Sequence, residues 1–201
     1  MEISKTEKII YEAAFRLFLQ KGYHDVSVKD LEKATDMSRG AFFYYQRDKK
    51  ALYGAVLELY FLSRQAPEVK FVGYERCQTL EEFITFYIER VTKTQETLSK
   101  EIGGDNALQP YLFMLIEAHK YFPEFKDQLK EIFEGERKLW EKFVEQAKKT
   151  GEIKTTLNVE TIVDMFRSAF FGLSFETSFY SNLGGEQLHT LFNSIYQLLK
   201  K

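Results

Sequence analysis

Three helix-start signals fall within the first 38 residues, and they leave this end of the chain little choice of fold. Ser4 followed by Glu7 spells a capping box, in which hydroxyl and carboxylate satisfy each other's backbone amides. Ile10, Ala13, Ala14, Leu17 and Phe18 then repeat at helical spacing as one apolar stripe, and Gly22 closes the helix. Ser27 with Asp30 repeats the signal, and Val26 and Leu31 flank it as a hydrophobic staple. This second helix is short, about residues 27–34. Ser38 caps a third, with Met37 and Phe42 in the staple positions and Asp36 in a turn that suits a left-handed backbone. Helix, short helix, tight turn and short helix over 47 residues make a helix-turn-helix.

The remainder is expected to be helical too, so the fold class is all-α. A fourth helix begins near Asp48, carries Leu52, Val56, Leu59 and Tyr60 inward, and ends before Pro67. Further helices are predicted over 79–99, 107–121, 123–150, 158–181 and 185–200, with loops around Gly73, Gly103-Gly104, Gly151 and Gly184-Gly185. The chain divides in this reading into a helix-turn-helix domain, 1–47, and a second helical domain, 48–201.

The stretch AFFYYQRDKK, residues 41–50, is unusual for a buried helix: four consecutive rings must point different ways around it. Over residues 37–50, four bases (Arg39, Arg47, Lys49, Lys50) face one acid, Asp48, although the whole chain has a net charge of −2. A local patch of this kind suits a groove contact rather than a general nucleic-acid coat. The helix at 38–45, about 12 Å long at 1.5 Å per residue, would enter the major groove. Ser38, Arg39 and Gly40 would face base edges, Arg39 as the guanine reader and Gly40 allowing close backbone approach. Phe42 would face the core with Leu17, Phe18 and Leu31. Phe43 and Tyr44 would lie against sugar, phosphate or a thymine methyl, and Lys49 would reach a phosphate. Lys29, Ala41 and Tyr45 complete the expected DNA-contacting set.

The runs IYEAAFRLFLQKGYHDVSVKDL and MSRGAFFYYQRDKKAL, within residues 9–56, resemble the DNA-binding domain of the tetracycline-repressor (TetR) family of bacterial transcriptional regulators. The resemblance implies that Ser27 and Lys49 contact phosphate and that Ser38, Arg39 and Gly40 lie near bases. Five positions depart from the family's usual residues: Phe43 stands for Tyr, Ala41 for Thr, Asp36 for the turn Gly, Glu32 for Ala and Gln46 for a core Phe.

For the remaining chain the resemblance implies ligand binding and dimerisation. MFRSAFFGLSFETSFY, 165–180, is apolar around most of its circumference, as a helix covered on two sides should be. Ser168 and Gly172 would let a neighbouring helix come close. The last helix, with Leu188, Leu191, Phe192, Ile195, Leu198 and Leu199 on one face, would complete a four-helix homodimer interface. Aromatic residues make up 16% of the chain, more than one bundle core needs, so some would line a pocket. Phe86, Tyr87, Tyr111, Met114, Trp140 and Phe170 are the candidates for binding a small apolar or aromatic effector.

Enzymatic readings find little purchase. Glu186 and His189 form one Glu-x-x-His, but di-iron bundles need two copies and further carboxylates. His24 and His119 have no ligand-spaced partner, and no phosphate loop or nucleophile elbow is present. No metal or cofactor is expected. One cysteine, Cys77, and an N-terminus without a signal-peptide core point to a cytoplasmic protein, and no apolar run is long enough for a membrane span. The expectation is a DNA-binding regulator, a ligand-responsive repressor acting as a homodimer on a double-stranded operator. The alternative is a helical small-molecule-binding dimer that has lost specific DNA recognition.

Overall fold

A computed structural model describes residues 3–102, 107–181 and 183–200, and no strand occurs among them. The expected Gly103-Gly104 loop lies outside the described residues. The helices are α1 Lys5–Asp25, α2 Val28–Thr35, α3 Arg39–Tyr45, α4 Lys49–Leu57, α5 Pro67–Lys70, α6 Leu80–Ile102, α7 Leu108–Tyr121, α8 Phe125–Thr150, α9 Val159–Thr177 and α10 Gly185–Leu199. Helix α5 and a 3-10 turn at Tyr74–Arg76 are additions to the elements expected from the sequence.

The capping signals at Ser4, Ser27 and Ser38 each open a helix. Ser4 and Glu7 bond reciprocally at 3.0 and 3.2 Å. At Gly22 the backbone turns to φ 77°, where a side chain would be strained, and α1 kinks without ending. The buried stripe of α1 is Ile10, Ala14, Phe15, Phe18 and Leu19, while Ala13 and Leu17 are only half-buried. The stripe is broader than the expected one because α1 packs against both α2 and α4.

Helix α4 buries Leu52, Tyr53, Val56 and Leu57. It runs into a π-helical turn, Glu58–Leu62, followed by a last α-helical turn, Ser63–Gln65. The extra residue of the π turn shifts the buried face, so Tyr60, Phe61 and Leu62 are covered and the expected Leu59 is not fully so.

Two compact units result. The first comprises residues 1–65 and 110–129, and the second 66–109 and 130–201. The division differs from the expected 1–47 and 48–201 because α4 shares the core of α1: Phe15 stacks on Tyr60 at 4.1 Å, and Phe18 meets Tyr53 edge-on at 4.7 Å. Residues 110–129 join through Phe61, which packs on Tyr111 and Phe125 at 5.5 and 5.7 Å.

The second unit is built around an aromatic core. Phe83 stacks on Phe143 at 4.2 Å, Trp140 stacks on Phe166 at 4.8 Å, and Phe192 meets both rings of that second pair edge-on. Leu188, Phe192, Ile195 and Leu199 of α10 are buried in the same core. The apolar face of α10 is thus largely covered within its own unit, leaving Leu191 half-buried and Leu198 exposed.

Candidate nucleic-acid interface

Helix α2 is fixed at both ends by local chemistry. The Ser27 hydroxyl accepts from the Asp30 amide at 3.2 Å, while the Ser27 amide and hydroxyl donate to the Asp30 carboxylate at 2.8 and 2.6 Å. Lys21 donates to the other Asp30 oxygen at 2.6 Å. The Lys21 ammonium, and then Ser27, hold the Asp30 carboxyl well below the usual carboxylate range. At the far end Asp36 takes the left-handed conformation, φ 55° and ψ 34°, and donates its amide to the Glu32 carbonyl. This tight cap turns the chain into α3.

Helix α3 starts at the Ser38 side chain, which accepts from the Ala41 amide at 3.4 Å. Its anchor is Phe42, fully buried, with Phe43 edge-on at 5.5 Å. Helical geometry then turns Ser38, Arg39, Gly40, Ala41 and Tyr44 outward, and all five are exposed, Tyr44 by 83%. A Cβ at Gly40 would meet nothing within 4 Å, so a partner can approach the backbone there. The Arg39 guanidinium lies 5.7 Å from the Phe43 ring, a cation–π contact that holds it beside the exposed face. Lys29 is exposed at the start of α2, and Tyr45 is half-buried with its ring 5.1 Å from Tyr44.

Lys49 has a different setting from the one expected. Its ammonium donates to the carbonyls of Tyr23, His24 and Val26 at 2.9, 3.2 and 2.9 Å, and it lies 4.6 Å from the Tyr23 ring. All three ammonium protons therefore close the C-terminal end of α1, a favourable place for a cation. Gln46, where the family's usual residue is Phe, is buried and donates to the Tyr11 hydroxyl at 2.9 Å. Glu32 turns one carboxylate oxygen into a buried position without a hydrogen-bond partner.

The positioning of this face also depends on residues far away in sequence. The Tyr23 amide donates to Glu117 at 2.7 Å, and the Tyr53 hydroxyl donates to the Met114 carbonyl at 2.9 Å. The Tyr23 ring packs against Tyr53 and Tyr121 at 4.7 and 4.5 Å. Burial, and then the Glu117 charge, push the Tyr53 hydroxyl pKa far up, so it stays a donor. No local pattern marks Glu117 for this role, since its partner is 94 residues away.

A sequence model described as bacterial regulatory proteins, tetR family, matches residues 10–56, which are α1 through most of α4. Over residues 10–56 the chain thus matches the DNA-binding domain of the TetR family. Over 59 residues it is 41% identical to the HTH-type transcriptional regulator YuxN of Bacillus subtilis (strain 168), a match covering 29% of this chain and 20% of YuxN. Over 163 residues it is 22% identical to the HTH-type transcriptional repressor DhaR of Mycobacterium sp. (strain GP1), covering 81% and 77% of the two chains. The chain thus spans only about a fifth of YuxN's length but about three quarters of DhaR's. A TetR-family regulator from Cytophaga hutchinsonii has the same fold, with a TM-score of 0.66 at 19% identity over 99% of this chain and 96% of that one.

The six effector candidates are divided between the two units. Tyr111 and Met114 belong to the first unit, and Phe86, Tyr87, Trp140 and Phe170 to the second. The Tyr87 ring touches Trp140 at 4.9 Å and Phe170 at 5.7 Å. Phe86 is half-buried, with the Arg90 guanidinium 4.9 Å from its ring. Among the described residues, no group of three or more His, Cys, Asp or Glu is placed to hold a metal, and Glu186 and His189 are both exposed on α10. No described helix is long and apolar enough to cross a membrane.

Proposed function

We propose that this protein is a sequence-specific transcriptional repressor that binds double-stranded DNA as a homodimer and releases it in response to a small effector. The observation that carries the reading is the exposed face of α3: Ser38, Arg39, Gly40, Ala41 and Tyr44 point outward from a helix anchored by the buried Phe42. Arg39 is the base reader in this reading, with Ser27, Lys29, Tyr44 and Tyr45 directed to the backbone. Phe43 supports Arg39 by its ring contact rather than supplying a phosphate donor. Lys49 acts first as the tie between α4 and the end of α1, and contact with a phosphate would require it to exchange one of its carbonyls.

The homodimer reading is supported by α9. Phe171, Phe175 and Phe179 recur at four-residue spacing at and just beyond its C-terminal half, and all three are exposed. Ser168 and Gly172 are exposed beside them, and a Cβ at Gly172 would meet nothing within 4 Å, which leaves room for a partner helix. One helix-turn-helix reads a half-site, and two-fold pairing places a second about one DNA turn away. Phe175→Glu is expected to yield a monomer by light scattering, with DNA affinity falling with it.

Fluorescence anisotropy with duplexes from around the protein's own coding region, over a salt series, tests the reading. Tight binding with a steep salt slope, lost selectively in Arg39→Ala, is the expected result. Sequence-blind binding that Arg39→Ala leaves unchanged would remove the specific-regulator reading. That outcome would favour a small-molecule-binding dimer without DNA recognition, a reading to which the engaged Lys49 ammonium lends support.

A further inference from the structure

We infer that the effector is an organic carboxylate with an apolar body, received in the second unit by the Lys70 ammonium and the Trp140 indole N–H; this rests on the effector-responsive reading above. The observation is a buried polar cluster whose donors outnumber its acceptors. Glu136 is its only carboxylate among the described ion pairs: one oxygen accepts from the Tyr87 hydroxyl at 3.2 Å and from Arg167 at 3.0 Å. The other lies 3.6 Å from the Lys70 ammonium, longer than a charge-assisted hydrogen bond of about 2.7–2.9 Å. Lys70 and Arg167 both turn to Glu136, where the Lys70, Glu136 and Arg167 side chains are only 9%, 5% and 11% exposed, and the more exposed Asp164 carboxylate also lies within the field of Arg167.

Lys70 has three protons to donate. The structure gives its ammonium the long Glu136 pairing and a place 5.2 Å from the Phe71 ring. Burial lowers its pKa, and Glu136 opposes that shift. Trp140 is fully buried, and its indole N–H faces the Tyr87 hydroxyl without a hydrogen bond of good geometry. These groups belong to one shell: Phe71 stacks on Tyr87 at 5.4 Å, Tyr87 touches Trp140 at 4.9 Å, and Phe170 closes on Tyr87 at 5.7 Å. Poorly satisfied donors and a Lys70 ammonium held only by a long pairing, in a poorly solvated site, both favour a ligand that brings acceptors and one negative charge. A carboxylate brings two acceptor oxygens and that charge. The surrounding rings suit an aromatic or aliphatic body.

Trp140 is the only tryptophan in the chain, so its emission reports on this site directly. The test titrates the full chain with benzoate and octanoate at fixed ionic strength, with benzamide and octanol as uncharged counterparts, reading Trp140 fluorescence and Tm. The expected result is a saturable response to a carboxylate, about tenfold or more weaker for its uncharged counterpart. That response should disappear in Lys70→Met and persist in Lys70→Arg. Without any ligand, Lys70→Met leaves one cation facing one carboxylate, so its Tm should rise by about 2–4 °C. Equal response to charged and uncharged probes, no response to either carboxylate, or an unaltered response in Lys70→Met would overturn the inference. A lowered Tm in ligand-free Lys70→Met would do so too, because it would make the ammonium a structural partner of Glu136. Anisotropy with DNA is run on the same samples. Intact DNA binding without a carboxylate response sinks this inference alone, whereas absent DNA binding sinks the regulator reading itself.

Discussion

The two units use a carboxylate in opposite ways, half-buried in the first and buried in the second. In the first, Glu117 accepts one amide proton from Tyr23 at 2.7 Å and so fastens residues 110–129 to the end of α1. In the second, Glu136 is shared by Lys70, Arg167 and Tyr87, and the nearby indole N–H of Trp140 makes no hydrogen bond of good geometry. One arrangement fixes a geometry, as a DNA-reading face requires. The other crowds its donors onto one buried carboxylate, as the proposed effector site would require.

Glu136→Gln probes that contrast most strongly. It removes the one anion from between two buried cations, and losing a partner of a buried ion pair costs about 3–5 kcal/mol. Glu117→Gln keeps an acceptor for the Tyr23 amide and exchanges a charged hydrogen bond for a neutral one, a loss of about 1 kcal/mol. Urea denaturation of both variants measures the gap. Similar losses in the two would erase the distinction between a fastening and a charged cluster.

Arg39→Ala sharpens the functional side. The side chain is exposed and lies against the Phe43 ring, so folding stability should change little. Affinity for operator DNA should fall by about 1–3 kcal/mol, the worth of a bidentate base contact. Anisotropy against specific and scrambled duplexes separates the two effects. A uniform loss on both would reassign Arg39 to the phosphate backbone.

How far the sequence carries differs between the units for a related reason. Capping is written within four residues, so Ser4, Ser27, Ser38 and the left-handed Asp36 were legible, and with them the helix-turn-helix and its exposed face. The ties that set its boundary were not. Tyr53 reaches Met114 across 61 positions, and Glu117 reaches Tyr23 across 94. Apolar composition named Tyr87, Trp140 and Phe170 together with Tyr111 and Met114 as pocket candidates, but it carries no information on which of them pack together. Lys70 escaped notice because helix α5 is one turn long and Glu136 sits in an otherwise charged stretch of α8. For the last helix, period 3.6 identifies an apolar face without telling how much of it its own unit covers and how much is left to a partner.

Ser27→Ala tests the local chemistry of the first unit on a smaller scale, removing one half of a capping box for about 1 kcal/mol. The linked carboxylate gives it a pH signature. Because the folded Asp30 pKa is depressed, its contribution is full above the ordinary Asp value of about 4 and is lost as pH falls through the lowered folded value. The Tm gap between the wild type and Asp30→Asn should therefore be largest near neutrality and narrow in acid. A gap independent of pH would mean that Lys21 and Ser27 do not hold the carboxylate in solution.

The smallest effect is expected at Asp36, where the family usually has Gly. A left-handed backbone at φ 55° is strained for a residue with a Cβ, although Asp tolerates it better than most. Asp36→Gly relieves that strain but gives the unfolded chain more freedom, so the net gain should be only about 0.5 kcal/mol. Its effect on DNA binding is separable. Asp36 is exposed two residues before Ser38 at the start of the reading helix, and its carboxylate would repel phosphates at low salt. Asp36→Gly should therefore tighten DNA binding most at low ionic strength, with the advantage fading as salt screens it. An advantage that persists at high salt would instead assign the gain to backbone geometry, and the tight turn, rather than its charge, would be what limits how α3 meets DNA.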